Sequence, residues 1–172
     1  MLSVGDKFPQ FNLVGVDENN EFVNVSRLSI SEKWGIIYFY PKDFTFICPT
    51  EIVAMDRLAL VNKAEVIGIS GDNEFCKKAW KEQEGSMIAN LHHVLAADCG
   101  LHLSEKLGIV DGDNGVCYRA TFIVDPKGKI QHITINALDT GRNAEETLRT
   151  LLALQAGGLT GCSWQDGEDF VV

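Results

Sequence analysis

No run of apolar residues in this chain approaches the roughly 20 needed to span a bilayer, and the opening Met1 to Asp6 lacks a basic stretch followed by an apolar one. The expectation is a soluble, cytoplasmic protein. Positive charge is also scarce. Fifteen basic residues stand against 24 acidic ones, for a net charge of −9, so the average surface repels phosphate backbones and anionic membranes. Nucleic acid is not an expected partner. The five cysteines, Cys48, Cys76, Cys99, Cys117 and Cys162, contain no paired motif, and the nearest two, Cys99 and Cys117, stand 18 positions apart. That spacing excludes a zinc cluster, and the odd, dispersed set does not read as a static disulfide framework. Internal repeats, linkers and low-complexity tracts are missing too. What remains is 172 residues with 45% hydrophobic content, enough for one compact domain with its own core.

Residues 10 to 28 alternate apolar and polar on either side of Asp17-Glu-Asn-Asn-Glu21, which reads as a hairpin. Four short apolar runs follow, at 35–40, 66–69, 94–97 and 120–124, suited to strands buried on both faces. Segments of helical character at 51–63, 73–84 and 101–107 separate them, so the class is α/β. The turn signal Asp125-Pro-Lys-Gly128 pairs the fourth run with 129–136 through a hairpin, which makes the sheet mixed. A last helix is marked by Asn143 and Glu146 at capping-box spacing, by Leu148, Leu151 and Leu152 on one face, and by Gly157-Gly158 as a stop. Residues 157–172 form a glycine-rich tail without period.

The chemistry concentrates where the first buried strand runs into Pro41-Lys-Asp-Phe-Thr45-Phe-Ile-Cys48-Pro-Thr-Glu51. Cys48 falls at the handover from strand to helix, where free N–H groups and the positive end of the helix dipole favour a thiolate. Pro49 suits a first helical turn, whose N–H groups have no intrahelical acceptor. A buried, inert thiol is the bland alternative for any cysteine. A thioredoxin would carry its second cysteine three residues on, but that position is Glu51, so any disulfide must use a distant partner.

The string Phe39-Tyr-Pro41 to Cys48-Pro-Thr-Glu51 resembles the active-site signature of peroxiredoxins, in particular the typical 2-Cys, alkyl hydroperoxide reductase C group. Pro41, Thr45 and Cys48 meet its essential pattern. Gly5-Asp-Lys-Phe-Pro9, Trp80 and Arg119-Ala-Thr-Phe-Ile-Val-Asp125 also resemble family segments, so the likeness covers nearly the whole chain. It implies a thioredoxin-like fold, with a mixed central sheet flanked by helices, an N-terminal hairpin and a C-terminal extension. Residues 1–158 would form the peroxidase domain and 159–172 the tail.

The resemblance further implies a thiol peroxidase of antioxidant defence that reduces hydrogen peroxide and organic hydroperoxides. Cys48 would attack the peroxide, Arg119 stabilise the thiolate and the departing oxygen, Thr45 supply its hydroxyl, and Pro41 shield the sulfur. Glu51 and Arg142 would hold Arg119 in register. Cys162, in the mobile-looking tail of a partner subunit, would resolve the Cys48 sulfenic acid as an intersubunit disulfide. A thioredoxin-type or flavoprotein disulfide reductase would then restore the thiols, with dimers assembling into a decamer and no cofactor or metal. The short stretch after Cys162 and the lack of a Gly-Gly-Leu-Gly insertion before Arg119 imply resistance to overoxidation. Competing readings are a one-cysteine thiol peroxidase, an oligomeric holdase chaperone, and a cysteine hydrolase activated by His92, His93, His102 or His132. Cys76, Cys99 and Cys117 read as apolar filler, with Cys117 on the strand face of Arg119. The loop Asp111-Gly-Asp-Asn-Gly115 is not an EF-hand, because Val116 stands where glycine is required.

Overall fold

The computed structural model describes residues 2–61 and 63–171. The chain divides into two compact units, Met1–Arg142 and Asn143–Val172. In the first, the expected hairpin forms from β1 (Asn12–Val16) and β2 (Phe22–Ser26), paired antiparallel across the Asp17–Glu21 turn. The four apolar runs become β3 (Gly35–Phe39), β4 (Glu65–Ser70), β5 (Val94–Ala97) and β8 (Arg119–Val124). Between β5 and β8 lie a short hairpin of β6 (Val110–Asp111) and β7 (Val116–Cys117), and β9 (Ile130–Asn136) follows β8 across the Asp125–Gly128 turn.

The main sheet runs β2-β1-β5-β4-β3-β8-β9. β3, β4 and β5 pair parallel, and the flanking strands pair antiparallel, so the sheet is mixed as its turns predict. Every residue of β3 is buried, as a strand covered on both faces requires. Ile37 and Phe39 point to one side, into a core with Phe8, Phe122 and Leu107, while alternation turns Tyr38 to the other.

Among the described residues this unit holds a short 3-10 turn at Arg27–Ile30 and the α-helices α1 (Ile47–Leu60), α2 (Glu74–Glu82) and α3 (His102–Leu107). α1 starts at Ile47, four residues before the helical pattern is legible. Pro49 is its third residue, and a missing N–H does no harm where the first four donors have no partner within the helix. Cys48 therefore occupies the first turn itself. In the second unit α4 (Ala144–Ala156) starts under the Asn143 side chain, which accepts from the Glu146 N–H, and stops at Gly157 in the left-handed conformation.

Candidate active site

β3 and β8 run antiparallel, with Tyr38 opposite Thr121, so the start of β8 lies beside the end of β3. That topology brings Arg119 to Cys48 across 71 residues of sequence. Cys48 is 1% exposed, and Arg119 Nη1 donates to its sulfur at 3.3 Å. Glu51 stands one helical turn beyond Cys48 on the same face of α1. Its Oε2 takes Arg119 Nη1 at 2.7 Å, while its Oε1 takes both the backbone N–H and Nε of Arg142 at 3.0 Å. Arg142 is fixed further by the carbonyls of Phe39 and Ala120 and by the Thr121 hydroxyl.

Two buried guanidiniums face one carboxylate, which leaves one positive charge beside the sulfur. Burial works against the Arg119 charge, but contact with Cys48 and Glu51 outweighs it and raises its pKa above the ordinary value. Phe46, at the start of α1, offers no side-chain cap, so the first-turn donors keep their field for the sulfur.

The loop before α1 is held from outside. Asp43 accepts from the fully buried Lys77 and from Ser70 Oγ, and its own N–H donates to Asp72. Phe44 adopts φ of +54°, a conformation that costs a bulky residue about 1 to 2 kcal/mol, and its ring stacks on Trp80 at 5.5 Å. Sequence gave no sign of the Asp43–Lys77 pair, since a lysine on an amphipathic helix reads as solvated. Above the loop opens a cleft of about 350 Å³, lined by Pro41, Thr45, Cys48, Val116, Arg119 and Leu138. The Thr45 hydroxyl donates to the Lys42 carbonyl at 3.0 Å, leaving its oxygen lone pairs to accept.

Six of the seven anticipated site residues thus gather in one place: Pro41, Thr45, Cys48, Glu51, Arg119 and Arg142. The seventh, Cys162, is exposed in the second unit, where its sulfur is 3.8 Å from Ser163 Oγ. Cys117 is buried as expected. Its thiol donates to the Tyr40 carbonyl at 3.0 Å, and burial pushes its pKa to about 12. Cys99 corrects the filler reading. It is exposed, in the turn between β5 and α3, and Cys76 is only half-buried. Of the histidines, His92 and His93 engage Asp56, whereas the sulfur of Cys48 is partnered by a guanidinium. Among the described residues no group of three or more His, Cys, Asp or Glu is placed to hold a metal ion.

The model of the AhpC/TSA family matches residues 4–133. The chain belongs to that family. It is 37% identical to alkyl hydroperoxide reductase C of Mycolicibacterium smegmatis, over 98% of this chain and 92% of that one. It is 41% identical to the chloroplastic 2-Cys peroxiredoxin BAS1 of Hordeum vulgare, over 96% and 83%. The crystal structure of the reduced 2-Cys peroxiredoxin of Plasmodium vivax superposes with a TM-score of 0.91 at 32% identity, covering 98% of this chain and 92% of its own. The chain is accordingly a peroxiredoxin, a thiol-dependent peroxidase with the thioredoxin-like fold of that family.

Proposed function

We propose that Cys48 is the peroxidatic nucleophile of a two-cysteine cycle that removes hydrogen peroxide and organic hydroperoxides. The observation that carries this reading is the contact of Arg119 with a buried sulfur at the floor of a cleft. The Cys48 thiolate attacks one peroxide oxygen, the O–O bond breaks, and the departing oxygen leaves with the electron pair and takes a proton to become water or alcohol. Negative charge migrates from sulfur to oxygen along this path. Arg119, already placed at the sulfur, follows it, and a fixed donor at the site of developing charge lowers the barrier. Glu51 and Arg142 keep Arg119 from drifting. The Thr45 oxygen accepts a hydrogen bond from the peroxide O–H and orients it, and Pro41 narrows the approach to the sulfur.

The product at Cys48 is a sulfenic acid. The Cys162 thiol of a partner subunit attacks it, an S–S bond forms and water leaves. A thioredoxin-type or flavoprotein disulfide reductase supplies the two electrons that restore both thiols. Residues 1–158 make the peroxidase domain and 159–172 the arm that carries Cys162. Dimers joined in this way assemble into a decamer in the cytoplasm. Among the described residues no helix is long and apolar enough to cross a membrane, and the net charge is −9.

The test is peroxide consumption by the full-length protein with dithiothreitol as reductant, compared with Cys48→Ser. Turnover disappears in the variant. Retention of most of the activity would remove Cys48 from the mechanism. On a non-reducing denaturing gel, peroxide converts the wild type to a dimer band that Cys162→Ser fails to form, whereas a monomeric disulfide would place resolution within one chain.

A further inference from the structure

Behind the Cys48 site lies a second buried polar set that the chemistry above leaves unused. The Tyr38 hydroxyl is 2.8 Å from His93 Nε2, and His93 Nδ1 is 2.6 Å from Asp56 Oδ1. Asp56 also accepts from the N–H of His92 at 2.7 Å and from its Nδ1 at 2.9 Å. Tyr38 and His93 are buried, and neither lines the cleft that opens over Cys48. Burial holds the His93 pKa below its usual value, and a neutral ring carries one proton. Asp56 takes that proton as a hydrogen bond from Nδ1, so Nε2 accepts and Tyr38 donates.

The fold makes room for this hydroxyl. Gly68 of β4 lies opposite Tyr38 in the sheet, and a Cβ there would stand 2.5 Å from the Tyr38 oxygen and 2.6 Å from its ring carbon. A glycine in a strand interior weakens the strand, so its presence marks a close approach, and the close approach here is Tyr38.

The set meets the active site at one point. The guanidinium carbon of Arg142 lies 5.1 Å from the centre of the Tyr38 ring, within the range of cation–π attraction. Arg142 holds Glu51, and Glu51 holds Arg119. Glu51 and Asp56 both belong to the buried residues of α1, so the helix that carries Cys48 is fastened by one set at its first turn and by the other further along. Tyr38 joins the two fastenings.

We propose that Tyr38 is a positioning residue for peroxide reduction: His93 and Asp56 orient its hydroxyl, its ring supports Arg142, and Arg142 passes that restraint through Glu51 to Arg119 at the sulfur. The effect is one of placement. A misalignment of about 1 Å at a group that meets the transition state is enough to slow a reaction severalfold or more. This rests on the roles given above to Cys48 and Arg119. A cluster that merely stabilises the core would alter the reaction of Cys48 with every reagent alike, whereas loss of Arg119 alignment falls more heavily on peroxide, whose departing oxygen needs the guanidinium as well as the sulfur does.

The experiment measures two rates on full-length protein: oxidation of Cys48 by hydrogen peroxide, and alkylation of Cys48 by iodoacetamide, read by mass spectrometry of its peptide. Tyr38→Leu removes the ring and is expected to slow peroxide about tenfold, while Tyr38→Phe keeps the ring and slows it about threefold. Alkylation falls by a smaller factor than peroxide reduction in both. His93→Leu reproduces the Tyr38→Phe effect, and the double variant adds nothing to it, as expected for groups acting in series. Should Tyr38→Leu fail to fold, Tyr38→Phe and the double variant decide. An unchanged peroxide rate in Tyr38→Phe, an equal fall in alkylation, or multiplying losses in the double variant would each overturn the proposal. Arg119→Ala in the same assay separates the two levels. If it leaves the peroxide rate intact, the reading of the site fails, and if it slows peroxide while the Tyr38 variants do not, only the role of Tyr38 fails.

Discussion

Cys48 and Cys162 are the same side chain in opposite settings. Cys48 is buried at the floor of its cleft, tied to a guanidinium, and carried by a helix whose buried face is fastened at Glu51 and again at Asp56. Cys162 is exposed in a stretch without helix or strand. Its neighbour Ser163 has φ of +58°, a conformation that favours glycine. The tail is anchored just beyond it. Trp164 is buried, stacks on Phe170 at 6.1 Å, and gives its carbonyl to Arg149 of α4, which is itself held by two 2.7 Å bonds to Glu146. In the proposed cycle, preorganisation would serve the step with charge moving in the transition state, and exposure the step in which one thiol must reach another.

That contrast breaks most sharply at Arg119. Arg119→Ala should slow Cys48 oxidation by about a hundredfold or more, measured by stopped-flow fluorescence, with far-ultraviolet circular dichroism unchanged. A loss below about tenfold, roughly 1.4 kcal/mol of barrier, would make Arg119 peripheral. Cys162→Ser should do the reverse. The first oxidation of Cys48 proceeds at the wild-type rate, but turnover with a disulfide reductase collapses, and intact-mass measurement shows sulfinic acid accumulating on Cys48.

Glu51→Gln sharpens the comparison from within the buried site. It leaves two buried guanidiniums sharing a neutral amide, so peroxide reduction should fall about tenfold and stability by about 3 kcal/mol in urea unfolding. The smallest effect concerns acid. Hydrogen bonds from His93 and His92 hold Asp56 at about 2 against the desolvation that opposes them, and the unfolded carboxyl titrates near 3.8. Its contribution is therefore present above pH 4 and is lost as pH falls through 2. His93 faces Asp56 from α1, Lys81 from α2 and Tyr38 from β3, and burial keeps its pKa below 6.5. The unfolded imidazole takes a proton that the folded one refuses, so this contribution is present above pH 6.5 and is lost on acidification. The free energy of urea unfolding should fall as pH drops below about 6.5 and again below about 4, the second fall by about 1 kcal/mol.

Strand positions were readable because buried parallel strands are continuous apolar runs with turn signals between them. β3, β4, β5 and β8 are of this kind. The start of α1 was not, because Ile47, Cys48 and Pro49 carry no helical period and their place in the first turn depends on tertiary contacts. Cys48 and Arg119 were nameable from motif, since they belong to recognisable segments, and Glu51 and Arg142 behind them from the same resemblance. More remote features were not. Lys77 looks like a surface lysine, Cys99 looks like filler, and the Tyr38–His93–Asp56 set joins residues from three distant segments, none of which signals the others. Burial of polar groups is decided by which segments meet, and periodicity along one segment does not record that.

The most direct test of the central claim is a thiol and disulfide map by mass spectrometry, taken before and after one equivalent of hydrogen peroxide per chain. All five cysteines are expected as thiols beforehand. Afterwards Cys48 and Cys162 should be linked between two chains, with Cys76, Cys99 and Cys117 still reduced. A free Cys48 beside oxidised sulfur at any of those three would contradict the account.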